Sequence, residues 1–352
     1  MKPLICFYKN EKLIQSTDYA LENCRDSETV FEFLQRMLSA YPAELKIVQV
    51  NFEFDNAVFA GQKKLYSSAK ACVFVLKEFS EITSLPDTVL TPPPFTALES
   101  EEGFVEKVNR IRQYIAQGRV YQVNLTAPLQ ATCKNSGLEI FSHYTKFFSG
   151  RYRALLPLAH AELVCFSPEM FLEKISEQLC TRPIKGSLAH ALDFNEHLLE
   201  NKKEEAELSM IVDLLRNDLN RLEENEKAVV TAHRAQMQLG YIQHTYSEVS
   251  VKTRKTLPEI LQLTLPGGSI SGCPKAESLK MISEFEPYAR QAYTGCLGWW
   301  EGGDFCLNLT IRSFIKDADN LFYHAGCGIV YDSDPKKEWK EFLLKTGSLN
   351  VK

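Results

Sequence analysis

Residues 152–183 read YRALLPLAHAELVCFSPEMFLEKISEQLCTRP, and this stretch decides the fold class. Tyr152–Leu156, Leu163–Phe166, Met170–Glu173 and Gln178–Pro183 are short apolar runs divided by segments too brief to hold a helix. Strands that follow one another so closely are joined by tight connections and pair antiparallel. Downstream, Ala292–Trp300 and Phe305–Phe314 flank EGGD, which suits a hairpin, and Leu321–Ala325 reads as a further strand. Upstream, Lys46–Phe52 and Ala71–Lys77 have strand character. Residues 119–129, RVYQVNLTAPL, alternate, with Tyr121, Val123 and Leu125 on one face and Gln122 and Asn124 on the other. That polar face must look at water or at a site.

Helices are read separately from these strand groups. Glu28–Leu38 is one. Phe104, Val108, Ile111 and Ile115 mark a second at helical spacing, with Gly118 as a stop. A long segment from about Leu198 to Leu222 carries the stripe Leu208, Ile211, Leu215, Leu219 and Leu222. Two more run to about Phe285 and from Pro335 to Thr346. Groups of strands beside separate helices predict an α+β fold with largely antiparallel sheets, not a doubly wound one. The proline-rich passage Pro86–Pro94 reads as a connector between a shortened N-terminal portion, 1–95, and a main region, 96–352, within one structural unit.

Composition narrows the function classes. The 352 residues hold 40 Lys+Arg and 45 Asp+Glu, a formal charge of −5, with 45% apolar and 24% charged residues. This is ordinary globular composition, and it argues against a nucleic-acid partner held by a basic surface. No apolar run approaches the ~20 residues of a membrane helix, and Leu4–Tyr8 is too short for a signal-peptide core. The ten cysteines form no C-x-x-C pair and no zinc-spaced cluster, so reduced thiols in the cytoplasm are expected.

Several constellations can carry chemistry. In DPKKEWKEFLLK, Glu338, Glu341 and Lys345 share one helical face beside Trp339, Phe342 and Leu343. Glu204 and Glu207 repeat the i, i+3 spacing on the long helix. Two such pairs suit Mg²⁺, which takes carboxylates and leaves positions for substrate oxygens; each is equally readable as a solvated charged face. Glu169 precedes a strand, and Lys185 follows one in a Pro-Ile-Lys-Gly-Ser turn, where desolvation would favour the nucleophilic neutral amine. An exposed loop lysine is the competing reading. The loop LPGGSISGCPK lacks the phosphate-loop pattern and is either a structural turn or an anion-binding loop. Arg312 and the backbone at Gly326 and Gly328 are better anion candidates, since Arg is bidentate and glycines let N–H groups approach. His244 is either a core or a catalytic histidine.

Ten segments, in order, resemble the chorismate-utilising enzymes: anthranilate synthase component I, aminodeoxychorismate synthase component I, isochorismate synthase and salicylate synthase. They are YQVNLT, SPEMFL, RPIKGS, KEEAELSMIVDLLRNDLNR, IQHTYSEV, LPGGSISGCPKAESLKMISEFEP, AYTGCLGW, LNLTIRS, AGCGIVYDSDP and EWKEFLLK, spanning about Gly103 to Lys345. The resemblance implies two stacked, largely antiparallel β-sheets with helices outside. It implies Mg²⁺ held through Glu204, Glu207, Glu338 and Glu341, bridging to the ring carboxylate of chorismate, with Gly186 and Ser187 holding that same group. Tyr293, Arg312, the backbone at Gly326 and Gly328, and Lys345 would receive the enolpyruvyl carboxylate.

Within the family, isochorismate- and salicylate-forming enzymes carry a lysine where this chain has Gln122, which cannot activate water. Anthranilate synthases usually read P-I-A-G-T where this chain reads Pro183-Ile184-Lys185-Gly186-Ser187. Lys185 therefore resembles the aminodeoxychorismate branch, where it is expected to attack ring C2 while Glu169 protonates the departing hydroxyl. No glutaminase motif is present, so the resemblance implies ammonia from a separate glutamine amidotransferase subunit in a heterodimer. Anthranilate synthesis, and a non-catalytic metal- or anion-binding protein of the same fold, are the alternatives. The five carboxylates Glu169, Glu204, Glu207, Glu338 and Glu341 against Lys185, Arg312 and Lys345 sum to −2. One Mg²⁺ would cancel that sum in a pocket meant for a dianion.

Overall fold

Hydrogen-bonded ladders run through nearly every stretch that the sequence marks as extended. The computed structural model describes residues 2–10, 12–148, 150–189, 202–239 and 242–345; at 185–189, 202–207, 238–239 and 242–244 it describes the backbone alone. Strands β1 (Ile5–Lys9), β2 (Lys12–Asn23), β3 (Lys46–Val50), β4 (Ala71–Glu81) and β5 (Thr96–Ala97) come first, with β6 (Gln122–Thr132) after them. The middle holds β7 (Tyr152–Pro157), β8 (Glu162–Ser167), β9 (Met170–Ile175), β10 (Gln178–Arg182), β11 (Ile184–Ala189), β12 (Val229–Leu239) and β13 (Ile242–Lys252). The last are β14 (Gly272–Cys273), β15 (Cys296–Glu301), β16 (Asp304–Leu309), β17 (Ser313–Asp317) and β18 (Asn320–Ile329). Among the described residues every ladder between these strands is antiparallel, as expected from residues 152–183.

The helices are α1 (Val30–Ala40), α2 (Glu101–Ala116), α3 (Gly137–Tyr144), α4 (Lys202–Asn220), α5 (Leu257–Thr264), the single turn α6 (Gly268–Ser271), α7 (Lys275–Phe285) and α8 (Pro335–Leu344). Their starts are chemically marked. Thr29 with Glu32, and Ser136 with Glu139, form capping boxes that satisfy the free amides of the first turn. Asp334 caps α8, with Pro335 at its first position.

The layering shows in two apolar cores. One comprises strand and connector residues, among them Ile47, Phe74, Leu163, Trp299 and Phe322, with no helix residue, as expected where sheet packs on sheet. The other combines the opposite faces of the same strands (Val48, Val73, Val75) with Leu34, Phe104, Ile140, Val212, Ile282 and Phe342 from the helices. The stripe Leu208, Ile211, Leu215, Leu219 and Leu222 is buried, as its period requires. The ladders themselves are continuous, linking the eighteen strands of the described residues into one network, with bulges such as that between Gln15 and Tyr19 in β2 bending the longer strands. N-terminal strands are stitched into this network through β1–β7 and β3–β15.

Three local expectations are corrected. Lys185 lies inside β11, paired across from Thr245, and not in a turn; hydrogen bonding to β13 overrides the turn signal of Pro183 and Gly186. The run Phe305–Phe314 is two strands, because the chain breaks at Thr310–Arg312 with Arg312 at φ 51°. Tyr121 stands before β6 and is exposed, so the apolar face of that strand starts at Val123. All ten cysteines are unpaired. No described helix is long and apolar enough to cross a membrane.

Candidate active site

A cavity of about 160 Å³ opens between β6, β18 and the loops before β9 and after β16. Gln122, Glu169, Tyr293, Arg312, Gly326, Gly328 and Lys345 all line it, together with Asn124, Thr294, Tyr323 and His324. Seven residues chosen from the sequence therefore meet at one place. The reason is the long pairing of β6 with β18, which sets Thr126 across from Gly326 and Asn124 across from Gly328. Alternation along β6 turns Gln122 and Asn124 to the same face.

The glycines of β18 leave no free room for a side chain. A Cβ on Gly326 would stand 2.5 Å from Thr126 Cγ2 and 2.6 Å from the backbone oxygen of Leu125, whereas one on Gly328 would meet only the end of a side chain, 2.5 Å from Gln122 Nε2. Two other lining residues, Thr294 (φ 59°) and Arg312 (φ 51°), hold left-handed backbone, a strained conformation for non-glycine residues that clusters at functional sites.

The cavity has a cationic end. Arg312 donates to the carbonyl of Lys345, and the nearby Tyr323 phenol keeps the guanidinium charged against desolvation. Lys345 Nζ donates to the carbonyl of Gly326 at 2.7 Å and pairs with Glu341 at 2.9 Å. Burial works against its charge, but Cys327 and Glu341 outweigh burial, and the net shift is upward. Two fixed cations beside the glycine-bearing strand suit a carboxylate. Tyr293 stays protonated, because desolvation pushes its phenol up. Glu169 is half-buried; its amide donates to Ser167 Oγ, and its carbonyl accepts from Leu309, which fixes the backbone at the cavity mouth.

Next to this end, α8 is clamped by aromatic packing. Phe104 of α2 lies 5.4 Å from Trp339 and 5.6 Å from Phe342, ring to ring. The clamp sets ligand atoms of Glu338, Glu341 and Cys327 within 4.8 Å of one another. Glu338 is buried and Glu341 exposed. Two convergent carboxylates fit a hard divalent cation; the thiol is an unusual neighbour for one. Glu204 and Glu207 lie on α4, which packs over β11, β12 and β13, but their side chains are outside the described residues. The same holds for Lys185, Gly186, Ser187 and His244, whose backbone register is nonetheless clear: Ser187 stands across from His244, with a bulge between Lys185 and Ser187.

Sequence reading missed the support of this cavity. Arg290, 1% exposed, donates to Glu286 from two nitrogens (2.8 and 2.7 Å) and to the carbonyls of Ile270 and Asn124. It thus ties β6 to α6. The helical spacing of Glu286 and Arg290 was the available signal. His324 was also missed. It is 4% exposed, its ring stacks on Tyr293 at 5.1 Å, and burial pushes its imidazole down to about 3.

Known proteins share these features. The chain is 33% identical over 279 residues to aminodeoxychorismate synthase component 1 of Bacillus subtilis (strain 168), covering 77% of this chain and 59% of that one. To an anthranilate synthase component 1 of Haloarcula marismortui it is 32% identical over 259 residues, covering 71% and 53%. The chain thus spans little more than half the length of these relatives. The crystal structure of anthranilate synthase component I from Streptococcus pneumoniae TIGR4 superposes with a TM-score of 0.81 at 22% identity, covering 99% of this chain and 90% of that one, and shares its fold. The profile of the chorismate binding enzymes matches residues 14–350, and the chain belongs to that family.

Proposed function

We propose that this member of the chorismate binding enzymes converts chorismate and ammonia into 4-amino-4-deoxychorismate, as an aminodeoxychorismate synthase component I. The observation that carries the reading is the single cavity in which Gln122, Glu169, Tyr293, Arg312, Gly326, Gly328 and Lys345 converge. Its cationic end offers Arg312, Lys345 and the backbone at Gly326 and Gly328 to the enolpyruvyl carboxylate. Gln122 can hydrogen-bond substrate but cannot serve as a base for water. Lys185, where anthranilate synthases usually have alanine, supplies an amine on the strand facing α4.

In this reading the Lys185 amine attacks ring C2, both conjugated ring double bonds shift (C1=C2 to C1=C6 and C5=C6 to C4=C5), and the C4 hydroxyl leaves as water, protonated by Glu169. Ammonia then adds at C4, both double bonds shift back, and the Lys185 amine departs from C2. Glu338 and Glu341, with Glu204 and Glu207 from α4, would hold Mg²⁺, which supplies charge neutralisation at the ring carboxylate. Gly186 and Ser187 would hold that carboxylate's other side, and His244, across from Ser187, would orient it. Ammonia would come from a separate glutamine amidotransferase subunit, in the cytoplasm.

Mass analysis of the product from chorismate, Mg²⁺ and ammonium salt tests the reading. Aminodeoxychorismate is expected, and Lys185→Ala is expected to lose about a hundredfold or more in rate. Fluorescent anthranilate as the main product would instead favour the second reading, which the similar identity to anthranilate synthase supports. Chorismate binding without any product would favour a non-catalytic protein.

A further inference from the structure

A sulfur atom stands against the acidic pair of α8. Cys327 sits in β18 between the two cavity glycines, paired across from Leu125. Alternation along the strand turns its side chain away from the face of Gly326 and Gly328. The thiol donates to the carbonyl oxygen of Glu338 at 3.4 Å, so it points at α8, and the residue is fully buried. Cys327 does not line the main cavity, and nothing assigned there to substrate uses it.

A buried thiol by itself is a small apolar filler. Here Cys327 Sγ and one carboxylate oxygen each of Glu338 and Glu341 lie within 4.8 Å of one another, and among the described residues no other cysteine joins such a group. Bonds of about 2.3 Å to sulfur and about 2.0–2.2 Å to oxygen span donors up to about 4.5 Å apart, so small side-chain rotations close the set around one ion. The charges balance as well. Two carboxylates and a thiolate are matched by one divalent cation and the ammonium of Lys345, which lies 2.9 Å from Glu341 and 3.9 Å from the sulfur. The donors then select the kind of cation. Mg²⁺ takes oxygen ligands, whereas Zn²⁺ accepts sulfur and carboxylate together.

We propose that Cys327 is a metal ligand, which gives the α8 site a preference for a thiophilic divalent cation of the zinc class over Mg²⁺. The inference rests on the reading that Glu338 and Glu341 hold a metal. As the cation binds, the Cys327 thiol loses its proton to solvent and a sulfur lone pair makes the bond; nothing is oxidised or reduced.

Cd²⁺ is the probe, because a cadmium–thiolate bond absorbs in the ultraviolet and a cadmium–carboxylate bond does not. Titrated with Cd²⁺ under a non-thiol reductant, the metal-free chain is expected to develop that band at one equivalent. Cys327→Ser, which keeps the size of the side chain, and Cys327→Ala are both expected to lose it, and so is Glu338→Gln. By calorimetry Cys327→Ser should weaken Zn²⁺ about tenfold or more. Its affinity for Mg²⁺, measured with chorismate present and ammonia absent, should stay unchanged, which also reports an intact fold. A band that survives in Cys327→Ser and Cys327→Ala, or no band in a wild type that still binds Mg²⁺, overturns the sulfur ligand. If the wild type binds neither Mg²⁺ nor Cd²⁺, the metal reading of α8 falls, and the sulfur ligand with it.

Discussion

Gln122 Nε2 lies 2.5 Å from where a Cβ on Gly328 would stand, so strand and side chain share one van der Waals boundary at the cavity floor. Gly328→Ala must displace the end of the Gln122 side chain, a flexible group that lines the cavity, so the change should disturb the site more than the stability of the fold. Steady-state kinetics should show the KM for chorismate rising about tenfold or more. Gly303→Ala, where nothing lies within 4 Å, is the matched control and should be neutral.

His324 makes stability depend on acid. Its folded pKa, pushed down to about 3 by burial and by Arg290, lies below the unfolded value of about 6.5. Between those values the unfolded chain binds more protons, so stability is full above about pH 6.5 and is lost as pH falls towards 3. At pH 5 the loss from this group alone is about 2 kcal/mol. His324→Gln should flatten the acid limb of denaturant-derived stability; an unchanged slope between pH 7 and 5 would refute the assignment.

Arg290 and Glu286 are both almost fully buried, and each satisfies the other's charge. Removing one partner leaves an uncompensated ion, at about 3–5 kcal/mol. Glu286→Gln should therefore unfold at markedly lower denaturant than the wild type, whereas breaking the exposed Arg110–Glu284 pair should barely move the same measurement.

Glu338 and Glu341 converge with Cys327 within 4.8 Å, and the proposed function gives the two carboxylates to Mg²⁺. Glu338→Gln is expected to raise the Mg²⁺ concentration for half-maximal chorismate binding by about tenfold or more, read by calorimetry and not by turnover. Chorismate bound equally well with and without Mg²⁺ would remove the metal from the mechanism.

The antiparallel strands of residues 152–183 and the buried stripe of α4 were legible because short-period patterning is a local property. Lys185 in β11 was not: Pro183 and Gly186 mimic a turn, and only the partner strand β13, some sixty positions later, overrules them. Residues lining the cavity were legible where their chemistry is plain, as with Arg312 and Lys345. Arg290 and His324 escaped notice because what matters about them is burial, which depends on neighbours far along the chain.

The β6–β18 ladder joins position 126 to position 326. During synthesis, β6 therefore leaves the ribosome long before its partner exists, carrying Val123, Leu125, Ala127 and Leu129 on a strand whose edge is bare. Such an edge invites pairing with other nascent chains.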